Sequence, residues 1–331
     1  MVKKVAINGF GRIGRMVFRA GFNDSDIEFV ALNDLTNTKT LAHLLKYDSV
    51  CGRFKGSISY DEDSITVNGR KMHVFAKRDP AELPWGKIGA DIVVESTGFF
   101  RTREGAQKHI DAGAKKVFIS APASGEIDFT VVKGVNEHNY DSSRHNIISN
   151  ASCTTNCLAP MAKVLEDNYG IKNCFMTTAH SYTGDQRLLD APHRDLRRAR
   201  SAAVSIIPTT TGAAKAVANV IPSLKGKMDG IALRVPTPDG SFTDLVCNLK
   251  KKVTAEEVNA LFKSVSEHNL KGVLEYTEDP IVSKDIVGNP ASCIFDSKLT
   301  KVIDGKFLKI GGWYDNEWGY SCRMIDIIKM L

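Results

Sequence analysis

A strand, a glycine-rich turn and a helix open this 331-residue chain; strands and helices then alternate to about residue 150, and beyond it strands cluster without that alternation. Together these features predict an α/β protein, an N-terminal Rossmann dinucleotide-binding domain followed by an α+β domain on a mixed, largely antiparallel sheet. The length itself favours two domains. With 43% apolar residues the chain can bury sizeable cores, and 25% charged residues is ordinary for a soluble protein. A net charge of +6 is mild and diffuse: it suits small anionic substrates, and nucleic acid is not expected as a partner. Seven cysteines at irregular spacings argue for reduced thiols in a cytoplasm and against a disulfide framework. No signal peptide and no apolar run of about 18 residues is seen, so no membrane association is expected.

The first half justifies its fold element by element. Val5 to Asn8 reads as a short strand, and Arg12 to Ala20 as an amphipathic helix. Between them Gly9, Gly11 and Gly14 complete G-x-G-x-x-G in the context of strand, tight turn and helix. The first glycine permits the turn, the second lets backbone approach a pyrophosphate, and the third allows close helix–strand packing. A second strand, Ile27 to Leu32, ends at Asn33-Asp34, and Asp34 lies 20 residues beyond Gly14. Such folds place there the acid that hydrogen-bonds the adenine ribose 2′-hydroxyl, and a carboxylate would repel a 2′-phosphate, so NAD is expected over NADP. Ile58 to Phe75 reads as an antiparallel excursion around the hairpin signal Asn68-Gly69. Ala90 to Glu95 and Val117 to Ile119 read as buried strands, with a helix from Arg101 to Ala112 between them. Their carboxyl ends carry Ser96-Thr97-Gly98 and Ser120-Ala121-Pro122, small polar residues of the kind that line the ligand crevice of an open α/β sheet. Arg78 follows the hairpin run and can reach the adenine side.

Ser149 to Cys157 forms the junction between the two halves. Asn146 to Ile148 ends a strand, and the apolar spacing of Leu158 to Leu165 predicts a helix. Small polar residues at such a junction are good N-cap chemistry. They place Cys153 where free N–H groups and the positive end of a helix dipole favour an anion, one of the settings that promotes a reactive thiolate. Cys153 and Cys157, at i and i+4, lack the paired short spacings of a zinc site, and no metal is expected.

The second half changes character. Strands are expected at Phe175 to Ala179, ending in His180, and at Gly230–Arg234, Phe242–Leu249, Val273–Tyr276, Ala291–Phe295 and Phe307–Trp313. Helices are expected near Thr211 to Val220, Thr254 to His268 and Asn316 to Met330, the last with an apolar face including Tyr320, Met324 and Ile327. Three features suit an anion: the basic loop Asp195 to Arg200, the threonine run Thr209 to Thr211 with Gly212 before a helix, and Arg234 at a strand end. The expected division is 1–150, 151–315 and a closing helix, 316–331, packed back on the first domain.

Five stretches together carry a resemblance over essentially the whole chain: Gly9 to Gly14, Ser149 to Cys157, His180 to Thr183, Arg197 to Arg200, and Trp313 to Glu317. In them the sequence resembles the phosphorylating glyceraldehyde-3-phosphate dehydrogenases of glycolysis. The resemblance implies a cytoplasmic homotetramer, a catalytic domain after the NAD-binding one, and a long loop from about Thr183 to Ser205 that lines a neighbouring subunit's cofactor site. It implies Cys153 as nucleophile and His180 as its base. Ser152, Thr154, Thr183, Arg198, Thr211, Gly212 and Arg234 would hold the phosphate of glyceraldehyde 3-phosphate and the incoming inorganic phosphate. Gly9, Gly11, Arg12, Ile13, Gly14, Asp34, Arg78, Ser120 and Asn316 would hold NAD. Ala191 departs from the bulkier apolar residue often found in NAD-specific members, while Pro192 and Asp34 fit them. Related enzymes that oxidise erythrose 4-phosphate or reduce an acyl phosphate share this plan, and a non-catalytic binding protein on the same fold is the reading from another class.

Overall fold

The computed structural model describes residues 2–331. The chain forms two compact units: the first gathers residues up to Val131, His138–Ala151 and Ser321–Leu331, the second Val132–Glu137 and Ser152–Tyr320.

In the first unit the order is β1 (Lys3–Asn8), α1 (Arg12–Gly21), β2 (Ile27–Asn33), α2 (Thr38–Lys46), β3 (Ile58–Tyr60), β4 (Ser64–Val67), β5 (Arg70–Phe75), β6 (Ile92–Glu95), α3 (Arg103–Asp111), β7 (Lys116–Ile119), β8 (Phe129–Thr130) and β9 (Ile147–Ser149). They make a nine-stranded sheet in the order β3-β4-β5-β2-β1-β6-β7-β9-β8. The strands from β5 to β8 run parallel, and β3, β4 and β5 pair antiparallel. Strand β6 is buried along its whole length, the pattern a parallel strand covered on both faces needs. The Asn68-Gly69 turn has φ of 46° and 80°, the left-handed pair of a tight hairpin, as its sequence predicted. A buried polar network stitches the central strands together. Asn33 Nδ2 donates to Asn8 Oδ1 at 2.6 Å, and Asn8 Nδ2 to Glu95 Oε2 at 2.6 Å. Trp85 Nε1 donates to Nδ1 of His109, so the ring proton of His109 sits on Nε2 and faces Glu95 at 3.0 Å.

In the second unit, α4 (Cys153–Asn168) leads to β10 (Ile171–Ser181), β11 (Ile207–Thr210), α5 (Ala213–Val220), β12 (Met228–Val235), β13 (Ser241–Leu249), α6 (Ala255–Glu267), β14 (Leu274–Thr277), β15 (Cys293–Asp296), β16 (Lys301–Ile303) and β17 (Phe307–Tyr314). Its eight-stranded sheet runs β11-β12-β10-β13-β17-β15-β14, with β16 on β17. The β10–β12 and β14–β15 pairs are parallel and the others antiparallel, the mixed sheet the sequence led us to expect. Helix α4 is buried from Thr154 to Ala162, and a Cβ added at Gly312 on β17 would come within 2.7–3.0 Å of Cys293 and Met161. A side chain there would have to displace both the Cys293 sulfur and the tip of Met161. Helix α6 starts from a full capping box, Thr254 with Glu257.

Helix α7 (Trp318–Met330) closes the chain. Within the first unit its Met324, Ile325, Ile327 and Ile328 are buried. A Cβ at Gly21 would fall 2.5 Å from Ile325, and Lys329 donates to Asp24 at 2.9 Å. Among the described residues no helix is long and apolar enough to cross a membrane.

Candidate active site

The turn between β1 and α1 is built as its sequence requires. Gly9 has φ +92°, and a Cβ at Gly14 would fall 2.2 Å from the Gly9 carbonyl. Helix α1 begins at Gly11 with no side chain capping its N–H groups, and nothing stands within 4 Å of where a Gly11 Cβ would be. That leaves open space over the N-terminus of the helix, whose N–H groups are the donors a pyrophosphate needs. A cavity of about 600 Å³ opens there, lined by Gly9, Gly11, Asp34, Arg78, Ser96 and Thr97 among others. Asp34 closes one side, its Oδ2 accepting from Phe10 N–H at 2.9 Å and its Oδ1 from Thr36 N–H at 3.0 Å. Each carboxylate oxygen retains a free lone pair for a ribose hydroxyl. The residues present thus fit a dinucleotide. Arg12 is turned to Asp48 in an ion pair at 2.5 Å, Ile13 is half-buried, and Ser120 ends β7 with its N–H on the Glu95 carbonyl.

In the second unit Ser152 caps α4, accepting from Thr155 N–H at 3.0 Å, and Cys153 is the first helical residue. The preceding Ala151 has φ 53°, a left-handed conformation that costs an alanine about 1–2 kcal/mol and turns the chain sharply into the helix. Pro160 cannot donate to the Asn156 carbonyl, yet the helix runs through it to Asn168. His180 lies near the end of β10, directly opposite Arg234 on β12. Cys153 Sγ and His180 Nε2 are 3.4 Å apart. Nδ1 faces the Ser181 carbonyl, an acceptor, at 2.7 Å and the Arg234 guanidinium, a donor, closer still; the Nδ1–H tautomer, which the carbonyl favours, is the one that leaves the Nε2 lone pair for the thiol. Arg234 donates to the same carbonyl at 3.0 Å and approaches Nδ1 to 2.5 Å. Its Nε is buried with no partner among the described residues, a donor left for an anion.

The electrostatics differ from the thiolate setting the helix terminus suggested. Burial pushes the Cys153 thiol up to about 11, against the opposing pull of Arg234 and of Thr154. Burial, reinforced by the positive charge of Arg234, lowers His180 to about 3. Desolvation is the largest influence on both groups, and it favours a thiol facing a neutral imidazole.

The other anion-site candidates cluster partly. Arg198 Nε donates to Thr209 at 2.9 Å, and its NH1 pairs with Asp185. Its charge also acts on His180 and Arg234. Thr211 and Gly212 follow β11 into α5, where Thr211 Oγ1 accepts from Ala213 N–H at 3.1 Å and Gly212 offers no cap of its own. Thr183 is half-buried and holds Gln186 through backbone contacts. The Thr154 hydroxyl meets Tyr314 Oη at 2.9 Å and also acts on the Cys153 thiol. Asn316 is buried, accepting at Oδ1 from Ser241 Oγ at 2.6 Å. Among the described residues no three His, Cys, Asp or Glu side chains are grouped to hold a metal ion.

Comparison with known proteins accords with this geometry. Residues 3–103 match the NAD binding domain of glyceraldehyde 3-phosphate dehydrogenase and residues 152–316 match its C-terminal domain. The chain is 62% identical over 328 residues to glyceraldehyde-3-phosphate dehydrogenase 2 of Streptomyces avermitilis, covering 99% of this chain and 98% of that one. It is 61% identical to the glyceraldehyde-3-phosphate dehydrogenase of Geobacillus stearothermophilus and 59% to that of Thermotoga maritima, over 99% of this chain and 97% and 98% of theirs. The chain belongs to the glyceraldehyde-3-phosphate dehydrogenase family.

Several side chains of this family member that shape the site were not singled out from sequence. Tyr314 Oη bridges Thr154 on α4 and Thr178 on β10, both at 2.9 Å, and its ring stands edge-on to His180. Ser181 and Ser241 link β10 to Asn316: Ser181 N–H donates to Ser241 Oγ at 3.1 Å. Leu35, Phe99 and Phe100 add apolar walls to the nucleotide cavity. A tyrosine or serine at a strand end carries no signal of this kind until the strands are paired.

Proposed function

We propose that this chain catalyses the NAD-dependent oxidative phosphorylation of glyceraldehyde 3-phosphate to 1,3-bisphosphoglycerate. The observation that carries the reading is the 3.4 Å contact of Cys153 with a neutral His180 beside the unpartnered Nε of Arg234. As Cys153 Sγ attacks the aldehyde carbon, its proton passes to His180 Nε2 and from there to the carbonyl oxygen, giving a thiohemiacetal. His180 then withdraws the hydroxyl proton so that the adduct collapses to a thioester. NAD, when bound, supplies the acceptor for the hydride lost in that step. Inorganic phosphate attacks the thioester, and the Cys153 thiolate leaves and regains its proton through His180. Covalent catalysis divides one hard step in two, and base assistance of this kind is worth about 10²–10⁴-fold. Arg234, Arg198, Thr183, Thr211, Gly212, Ser152 and Thr154 are the proposed phosphate-binding set. Gly9, Gly11, Arg12, Ile13, Gly14, Asp34, Arg78, Ser120 and Asn316 are the proposed cofactor set.

The division of labour follows: residues 1–150 hold NAD, 151–315 carry the chemistry, and 316–331 return to the first domain. The working form is a cytoplasmic homotetramer, and light scattering at about four times 36.3 kDa tests that assembly. NADH formation from glyceraldehyde 3-phosphate, with and without phosphate, tests the activity. Preference for erythrose 4-phosphate, or a rate only in the acyl-phosphate-reducing direction, selects a related enzyme. A zero rate with every substrate selects a non-catalytic role.

A further inference from the structure

The turn from β12 to β13 carries a buried carboxyl that the chemistry above does not use. Asp239 is 2% exposed and Asp315 1%. Asp315 is fully supplied with donors: Glu317 and Trp318 N–H reach its Oδ1 at 2.9 and 2.6 Å, and Gly288 N–H its Oδ2 at 2.7 Å. Asp239 receives one, Gly240 N–H on Oδ1 at 2.8 Å. Its Oδ2 is buried without a donor, and its side chain stands at hydrogen-bonding range of Asp315. Two carboxyls that interact this way resist ionising together, and a proton on Asp239 lets its carboxyl donate to Asp315. The charged groups facing Asp239 are Asp315 and Glu317, both negative.

This pair brackets Asn316. Ser241, two residues beyond Asp239, donates its hydroxyl to Asn316 Oδ1 at 2.6 Å and accepts Ser181 N–H at 3.1 Å. Ser181 Oγ returns to the Gly240 carbonyl at 3.0 Å. The turn 237–241 is therefore fastened to the residue after His180 on one side and to Asn316 on the other.

We infer that Asp239 is a positioning residue: its protonated carboxyl, hydrogen-bonded to Asp315, holds the 237–241 turn so that Ser241 fixes the carboxamide of Asn316 for the cofactor. The inference rests on the proposed assignment of Asn316 to NAD. Burial, with the negative charge of Asp315 and Glu317, pushes the Asp239 carboxyl up to about 8.

The test is tryptophan-fluorescence titration of the full chain with NAD from about pH 6.5 to about pH 9.5, beside thermal melts over a wider range. For the wild type the Kd for NAD should rise roughly three- to tenfold between about pH 7 and about pH 9 as the proton is lost. Asp239→Asn keeps a donor to Asp315 and cannot titrate, so its Kd should match the wild type at neutral pH and stay within about twofold throughout. Asp239→Ala should bind NAD more weakly at every pH. A flat wild-type profile, or an Asn variant that keeps the alkaline limb, overturns the inference. The melts give an independent reading. An acid whose pKa is raised by folding contributes stability that is present below its unfolded value and lost as pH rises to the folded one. Asp239→Asn should therefore gain Tm over the wild type progressively from about pH 4 to about pH 8. A constant gap overturns the shared proton. If neither protein binds NAD saturably at neutral pH, the functional reading and the cofactor role fall together, and the melts still decide the proton.

Discussion

Cys153 Sγ and His180 Nε2 lie 3.4 Å apart as a neutral pair. Burial keeps the imidazole neutral, and Arg234 adds to it. Its guanidinium stands over Nδ1, shares the Ser181 carbonyl, and disfavours a second ring proton. A base that is unprotonated at working pH and aimed at the sulfur can take the thiol proton as the carbon–sulfur bond forms. Charge then appears only during the reaction, next to a guanidinium already in place, which is the condition for preorganised electrostatic catalysis.

Arg234 should accordingly matter in two separable ways. Arg234→Ala should raise KM for the phosphorylated substrate or for phosphate by about tenfold or more, since a charge-assisted bidentate contact is lost. It should also let the His180 pKa rise towards its ordinary value, so that an acid limb absent from the wild type appears in kcat/KM nearer neutral pH. Arg198→Ala should raise KM with a much smaller shift of that limb, its main contacts being Asp185 and Thr209 and its charge the weakest of the influences on His180. Wild-type KM and kcat in both variants would leave the two arginines with no role in anion binding.

Asp34 should decide between cofactors. Its oxygens are fixed by Phe10 and Thr36 N–H at the rim of the nucleotide cavity, so Asp34→Ala removes both an acceptor for a ribose hydroxyl and a repulsion against a 2′-phosphate. The variant should bind NAD more weakly and narrow the gap to NADP. A wild-type enzyme faster with NADP than with NAD at equal concentration contradicts the assignment.

The Glu95–His109 pair should be a stability element of the first unit. Both side chains are fully buried, and Glu95 also accepts from Asn8 and from the Thr97 N–H. Glu95→Ala strands four donors at once, from His109, Asn8 and both the N–H and the hydroxyl of Thr97. One buried donor left unsatisfied costs about 1–3 kcal/mol, so the loss should reach about 3 kcal/mol or more. Urea unfolding should show the midpoint fall with the slope unchanged; a midpoint within error of the wild type means water replaces the carboxylate.

How far the sequence spoke depends on the range of the contacts. The β1–α1 turn and the α4 cap are local, and their residue types revealed both. Strand β11 is not among the expected strands: its Thr209 and Thr210 read only as part of a threonine run before a helix, and its Pro208 is tolerated because the strand lies at the edge of the sheet. Helix α2 was not identified, although Asn37 caps it and Leu41 and Leu45 supply the buried face. Two threonines near its start weaken the helical signal. The bridging hydroxyl of Tyr314 and the Asp239–Asp315 contact join residues far apart in sequence, which no spacing rule can bring together. The balance at Cys153 was likewise beyond local reading: a helix terminus is visible in sequence, and the burial that opposes it is not.

The last prediction follows from that balance. A thiol pushed up to about 11 leaves on the order of one part in 10⁴ as thiolate at neutral pH, too little for fast alkylation unaided. If Cys153 is nonetheless labelled first by brief, limiting iodoacetamide, His180 must be taking the proton as sulfur attacks. The fair controls are Cys51 and Cys322, partly exposed at the surface as Cys153 is, although the packing around the Cys153 sulfur desolvates it; Cys157, Cys174, Cys247 and Cys293 are buried and should stay unlabelled in the folded chain. Peptide mapping should find Cys153 ahead of both controls in the wild type. In His180→Asn it should fall to their level or below, with NAD binding retained and hydride transfer slowed by about 10²-fold or more. Cys153→Ser should be essentially inactive, because a serine hydroxyl is harder still to ionise and its acyl ester is a poorer phosphate acceptor than a thioester. Label spread evenly over Cys51, Cys153 and Cys322 in the wild type removes Cys153 as the nucleophile. Selective labelling that survives unchanged in His180→Asn removes His180 as its base.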